Sequence, residues 1–286
     1  MAIYQHTYAP YTGALTPRWP RFFILTRFSY ARLLGSKFLI LFLALCLCYP
    51  IACLAFIYLV NNPAFLLLIN FRAGPLTAID GRFFYYYCVV QGTIAYLVTA
   101  LVGPSLVSPD LVNGGLPLYL CRPFSRGEYV AGKISVLVFL LSLVTWIPGL
   151  CLFAVQASLA GWAWLTANLW LAGAIVSGAL LWIALLSLLG LALSAWIKWR
   201  IAAGALVLAV FFAGAGGAAA INSVLRTTHG SLLDLSQVVH TIWSDLFRYD
   251  SGTDMPLTHA WGALVLVGVL CGGLLARRLR AFEVVK

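Results

Sequence analysis

Three groups of residues have types and spacings that chemistry could use. Gly127-Glu128-Tyr129-Val130-Ala131-Gly132-Lys133 has the Gly-x-x-x-x-Gly-Lys spacing of a loop that cradles nucleotide phosphates. Such a loop needs Ser or Thr next, to hold magnesium, and a buried strand before it. Here Ile134 follows, and Arg122-Pro123-Phe124-Ser125-Arg126 precedes. The spacing therefore predicts no nucleotide site, and Lys133 reads as a basic anchor at the start of a membrane span. His229 and His240 could share one face of a helix, with Asp234 or Asp245 beside them as metal ligands. Solvated loop histidines are the commoner case; His6 and His259 stand alone, and no Ser/His/Asp or Cys/His spacing points to hydrolysis. The third group is the stretch 108–133 as a whole, which is dense in charge and turn residues between two long apolar runs.

The elements that carry these residues are set by composition. The chain has 286 residues, 63% hydrophobic and 9% charged, whereas a soluble domain has about 25% charged residues. So few charges cannot cover a water-facing surface, and lipid must be the solvent for most of the chain. Lipid leaves backbone polar groups unsatisfied outside helices or closed barrels. The apolar runs are long and unbroken, so they predict helices, each needing about 20 residues to cross a core about 30 Å thick. The fold class is an all-α polytopic membrane protein with six transmembrane helices and an N-terminal interfacial helix.

The spans are expected at 38–60, 85–107, 134–155, 168–197, 201–221 and 257–276. They form one transmembrane domain, 38–276, between a cytoplasmic segment, 1–37, and a basic tail, 277–286. Pro50 predicts a kink in the first span. Residues 157–167 read as a short turn whose Trp162 and Trp164 suit an aromatic belt. The outer loop 222–256 has amphipathic patches (Leu232-Leu233, Val238-Val239, Ile242-Trp243, Leu246-Phe247) that suit short helices. Residues 18–37 mix aromatics with five basic residues and no acid, the pattern of a helix lying among lipid headgroups. Trp19, Arg21, Phe22, Arg27 and Arg32 are its candidate lipid contacts. No short apolar core with a cleavage site opens the chain, so no signal peptide is expected.

Net charge is +10, which on a soluble protein would suggest nucleic acid. Here its distribution matters more. Taken alternately, the N-terminal segment has five Lys and Arg, the central loop three, the tight turn Lys198-Trp199-Arg200 two and the tail four; the other loops have two, none and two. Fourteen against four predicts both termini in the cytoplasm, and no nucleic acid as partner. No Asp, Glu, Lys or Arg falls inside the six spans as drawn. Intramembrane charges usually mark an ion pathway or proton relay, so an ion-coupled carrier, an intramembrane protease and a membrane metalloenzyme are disfavoured. Scattered polar residues, among them Gln91, Thr99, Ser142, Thr145, Ser187 and Ser194, either line a path or hydrogen-bond neighbouring helices, the commoner role. Gly173/Ser177, Gly190/Ser194, Gly268/Gly272 and the small run 214–220 allow close helix approach, within the chain or between copies. Of seven cysteines, six lie in predicted spans and Cys121 in the central loop, without disulfide or zinc spacing.

Within the central loop, Asp110 to Leu120 reads as a short amphipathic piece. Ser125 followed by Glu128 reads as a capping box that starts the next helix. A stiff cytoplasmic element of this kind predicts an interface that receives force from a partner. The residues Asp110, Asn113-Gly114, Leu116 to Leu120, Arg122-Pro123, Ser125-Arg126, Tyr129 and Gly132-Lys133 resemble the cytoplasmic loop of type-2 ATP-binding-cassette transporter permeases. The six spans, basic N-terminal segment and long last outer loop extend the likeness over nearly the whole chain. One departure is Asp110, where that family usually has Glu.

The resemblance implies a permease subunit in the plasma (inner) membrane that pairs with a separate ATPase subunit and with a second permease copy, more often for export than import. ATP and magnesium would sit on the ATPase, so no cofactor and no enzymatic activity are expected of this chain. The implied ATPase contacts are Asp110, Asn113, Gly114, Leu118, Tyr119, Arg122, Pro123, Ser125, Arg126, Glu128 and Tyr129. The alternative reading is a membrane scaffold or assembly factor without transport. A membrane-embedded transferase would need catalytic carboxylates or histidines near the inner interface, which the sequence does not offer.

Overall fold

The computed structural model describes residues 21–62, 78–113, 126–197, 199–253 and 255–278, and at 21–25, 111 and 126 the backbone alone. Among the described residues the chain is helical, without strands. In order, the helices are α1 (Arg21–Leu34), α2 (Lys37–Cys46), α3 (Cys48–Val60), α4 (Gly81–Val112), α5 (Arg126–Val144), α6 (Trp146–Ala160), α7 (Trp162–Trp196), α8 (Arg200–Leu225), a 3-10 turn (His229–Leu233), α9 (Leu235–Leu246) and α10 (Leu257–Arg278). Six segments are long and apolar enough to cross a membrane: α2 with α3, α4, α5 with α6, α7, α8 and α10.

Helices α4 and α7 form the centre of the bundle and share the most extensive helix contact. Of the most apolar part of α7, 67% is buried, against 17% for α10. The peripheral helices therefore turn apolar side chains such as Val265, Leu266 and Val269 outward, as a lipid-solvated bundle requires. Gly103 of α4 faces the Cα of Gly190 of α7, and a Cβ on Gly190 would stand 3.0 Å from Thr99 Cγ2. The expected close approach at Gly190 is thus within the chain. Gly173, Gly268 and Gly272, by contrast, face open space.

Two spans are broken, each three residues before a proline. The first breaks at Leu47 ahead of Pro50, and the third at Thr145 ahead of Pro148. The kink expected at Pro50 itself is displaced because the proline ring acts backwards. It removes the hydrogen bond to the carbonyl four residues earlier and crowds that oxygen. The carbonyls so freed are Cys46 O and Val144 O. Both accept hydrogen bonds from the amide of Gln91 on α4: Nε2 lies 3.0 Å from Cys46 O and 2.6 Å from Val144 O. Gln91 therefore resolves to the helix-bonding role. Pro104 frees a third carbonyl, Ala100 O, which faces Gly204 of α8; a Cβ there would come within 2.6 Å of it.

The next residue of α4, Gly92, continues the junction. Its carbonyl accepts from Trp182 Nε1 of α7 at 2.9 Å. The Trp243 ring lies so close that a Cβ on Gly92 would be 2.6 Å from it. Trp243 belongs to α9 and donates from Nε1 to Gly178 O at 3.0 Å. The outer loop thus contains a helix, as its amphipathic patches predict, with Val238, Val239, Ile242 and Trp243 buried against the bundle. Asp234 caps α9, accepting from Ser236 N and Gln237 N, which is what fixes the start of that helix.

Elsewhere the boundaries shift. The turn expected at 157–167 contracts to Gly161, whose φ of 89° lets α6 and α7 join at one residue. Trp162 and Trp164 lie inside α7 as a result. His259, inside the sixth span, sits in the first turn of α10. The segment 18–37 contains a helix, α1, whose Thr26, Ser29, Tyr30 and Leu33 face inward while Arg27, Phe28 and Arg32 are exposed.

Replacing Gln91 with Leu leaves two buried carbonyls without donors, at about 1–3 kcal/mol each. Thermal unfolding in detergent is expected to show a marked loss for Gln91→Leu. A loss is also expected for Gln91→Glu, because a buried carboxyl kept neutral by desolvation offers one proton where the amide offers two. Equal melting of all three proteins would refute the assignment of the bridge.

Candidate functional site

The ends of α4 and α5 that flank the central loop are joined by one acid. Asp110 lies in the last turn of α4. Its Oδ2 accepts from Tyr129 OH at 2.9 Å and pairs with Lys133 Nζ at 2.9 Å. Tyr129 and Lys133 are four apart on α5, so they share a face, and the ammonium also stands 5.5 Å from the Tyr129 ring centroid. The pair is withdrawn from solvent, with side-chain exposures of 6% for Lys133 and 14% for Asp110. A buried ion pair holds its geometry well, since removing either partner strands the other charge.

Helix α1 is fastened at the same place. Thr26 Oγ1 donates to Gly132 O at 3.2 Å and exchanges a hydrogen bond with Ser135 Oγ at 2.9 Å. Tyr30 OH donates to Ser135 O at 3.1 Å, and its ring meets Phe139 edge-on at 5.2 Å. On the other side, Ser108 Oγ reaches Ile197 O at 2.9 Å, tying the end of α4 to the end of α7. Four helices thus converge beside the loop.

The sequence-predicted contacts divide accordingly. Asp110 and Tyr129 come together, but Tyr129 is 2% exposed, so it secures the base of the loop and presents no docking surface. Glu128 is half-buried and Asn113 is exposed at the end of α4. Arg126 begins α5. Gly114, Leu118, Tyr119, Arg122, Pro123 and Ser125 lie outside the described residues, and with Ser125 the predicted capping box. Of the lipid contacts, Arg27 and Arg32 are exposed on α1, Arg21 and Phe22 are on its backbone, and Trp19 lies outside the described residues.

Lys133 departs from its reading as a simple anchor: it is an inward partner of Asp110. The sequence carries a partial signal, because Tyr129 and Lys133 fall on one helix face. Nothing in it says that Asp110, before the loop, stands opposite them. The histidine site dissolves: among the described residues no three His, Cys, Asp or Glu side chains form a metal-binding group. His240 packs between Tyr85 and Trp243. Burial lowers its pKa from the ordinary value, against the opposing pull of Asp234.

No protein-family model matches the chain, and no curated protein matches it. The reading of the site rests on its own geometry and on the sequence pattern.

Two outcomes follow. Asp110→Ala and Lys133→Ala should each destabilise the protein by about 3 kcal/mol, and the double variant by clearly less than the sum; additive losses in a thermal-unfolding cycle would show that the pair is not coupled. For His240, a lowered folded-state pKa means that the unfolded chain binds more protons. Its stabilising contribution is complete above about pH 6.5 and is lost as pH falls through the folded-state value. The melting temperature should therefore drop between pH 7.5 and 5, less so in His240→Gln; identical slopes would contradict this.

Proposed function

We propose that this chain is the membrane-spanning permease subunit of an ATP-binding-cassette exporter, driven by a separate ATPase that docks on the loop 108–133. The observation that carries the reading is the Asp110–Tyr129–Lys133 clamp. A force applied to the intervening residues reaches α4 and α5 together, and through Thr26 and Ser108 it reaches α1 and α7. A plain connector would not need its two stems locked by a desolvated ion pair.

The loop motif supports the same reading through its resemblance to type-2 permeases. Fourteen basic residues on the loops of one side against four on the other support a cytoplasmic position for the termini and this loop, and the resemblance implies the plasma membrane as the site of action. ATP closure of the partner presses on the loop, tilts the stems and opens a path between two permease copies. Open glycines on α8 and α10, such as Gly216 and Gly268, offer small-residue surfaces for the second copy.

The first experiment is gentle solubilisation of native membranes and capture through an N-terminal tag. An ATPase in about 1:1 ratio is expected, and it should be lost from Arg126→Ala/Glu128→Ala protein that still inserts in the membrane. A preparation free of ATPase even after cross-linking would overturn the reading and favour a non-transporting scaffold.

A further inference from the structure

A groove of about 710 Å³ runs between α1, α2, α4 and α8. Its two ends differ chemically. At the end beside the clamp it is lined by Arg32, Lys133 and Arg200, with Ser29 and Ser36 among them. Away from that end its walls are apolar, with Leu97 and Leu101 of α4 facing Leu208 of α8. From Pro109 to Leu97 the lining of α4 rises by twelve helical steps, or roughly 18 Å. That is close to the depth of one leaflet of a hydrocarbon core about 30 Å thick.

Lys133 is already neutralised by Asp110. Arg32 and Arg200 are exposed, and neither forms an ion pair among the described residues. Arg200 is also the first residue of α8, whose preceding Trp199 supplies no side-chain cap. The opening amides of that helix add to the positive field. The site therefore has an unbalanced cationic mouth, one leaflet deep, above an apolar slot.

We infer that the groove is a binding site for an anionic phospholipid, its phosphate held between Arg32 and Arg200 and an acyl chain lying along Leu97, Leu101 and Leu208. Charge selects this occupant over a second copy of the chain. A symmetry-related copy would bring its own Arg32 and Arg200 to the same depth, whereas Asp110 is committed to Lys133 and Tyr129. A headgroup phosphate supplies the missing negative charge, and bilayer lipid reaches a laterally open groove without crossing water. The inference needs only that the helices span a membrane, and it stands or falls independently of any ATPase.

The test uses the full chain in detergent, titrated with phosphatidylglycerol, with phosphatidylcholine of the same acyl chains, and with glycerol 3-phosphate. Bound lipid is counted by native mass spectrometry and stabilisation by thermal shift. Phosphatidylglycerol should bind with clear preference over phosphatidylcholine, and glycerol 3-phosphate, which lacks tails, should not stabilise. Arg32→Gln or Arg200→Gln should each weaken phosphatidylglycerol roughly fivefold, and the pair roughly 25-fold, since each basic residue near an anionic headgroup contributes about 1 kcal/mol. Binding of phosphatidylcholine should change little in these variants, which separates loss of the mouth from misfolding. A photoreactive amino acid in place of Ala205, which lines the groove, should label lipid in native membranes. Undiminished phosphatidylglycerol binding by the double variant would overturn the site. So would equal preference for the two lipids, stabilisation by glycerol 3-phosphate alone, or photolabelling of a second copy instead of lipid.

Discussion

The bundle depends on one amide. Prolines break helices cheaply only where something else satisfies the carbonyls they free, and inside a membrane water cannot do it. Pro50 and Pro148 free Cys46 O and Val144 O, and the two protons of Gln91 Nε2 go to those two oxygens. The amide orientation follows from the chemistry, because both neighbours are acceptors. One side chain on α4 thus makes two breaks in two other spans tolerable at once and fixes where those spans cross it. Pro104 poses the same problem on α4 itself and is met differently, by the close approach of Gly204 to Ala100 O. A Cα–H contact is a weaker donor, and it requires a residue without a side chain.

This junction explains why α4 is central to the architecture and not only to the core. Residues 91 and 92 bind α2, the α5–α6 break, α7 and, through Trp243, the outer helix α9. Some twenty residues further along, the same helix carries Ser108 and Asp110 and binds α7 and α5. The two junctions use opposite chemistry. The middle one is neutral, with amide, indole and carbonyl groups whose net worth in lipid is modest for each bond. The terminal one is ionic and placed where the span ends. Neutral glue in the core and charge at the end is the arrangement that lipid permits, since an ion at the bilayer centre would cost several kcal/mol.

How much of this was legible in the sequence follows from the physics of each feature. Span number is a property of composition, so hydropathy finds all six, with ends displaced by a few residues. The amphipathic patches of the outer loop announced α9 because one-sided burial leaves a periodic trace, and Trp243 sat within them. The displaced kink was legible in principle: a proline disturbs the carbonyl four residues before it, so the break belongs upstream at Leu47. What pairs Gln91 with those carbonyls, or Lys133 with Asp110, is the three-dimensional crossing of helices far apart in sequence. No local pattern records it. Reading Lys133 as an anchor followed the rule that basic residues flank spans, and the rule places such a residue without saying whether it faces headgroups or a carboxylate.

The distribution of charge bears on what can move this molecule. Between Phe83 and Pro109, and between Ile134 and Ile197, there is no acidic or basic residue, so a transmembrane proton or ion gradient finds nothing there to titrate. The breaks at Leu47 and Thr145 are, however, points where the helical ladder is already interrupted, and interrupted ladders bend at less cost than continuous ones. A push on the clamped stems at Asp110 and Lys133 would travel up α4 through the interruption at Pro104, whose freed carbonyl meets Gly204, and up α5 to the break at Thr145. Gln91 holds the carbonyls freed at both breaks from one position on α4, so a change of angle at either break strains a hydrogen bond to the same side chain.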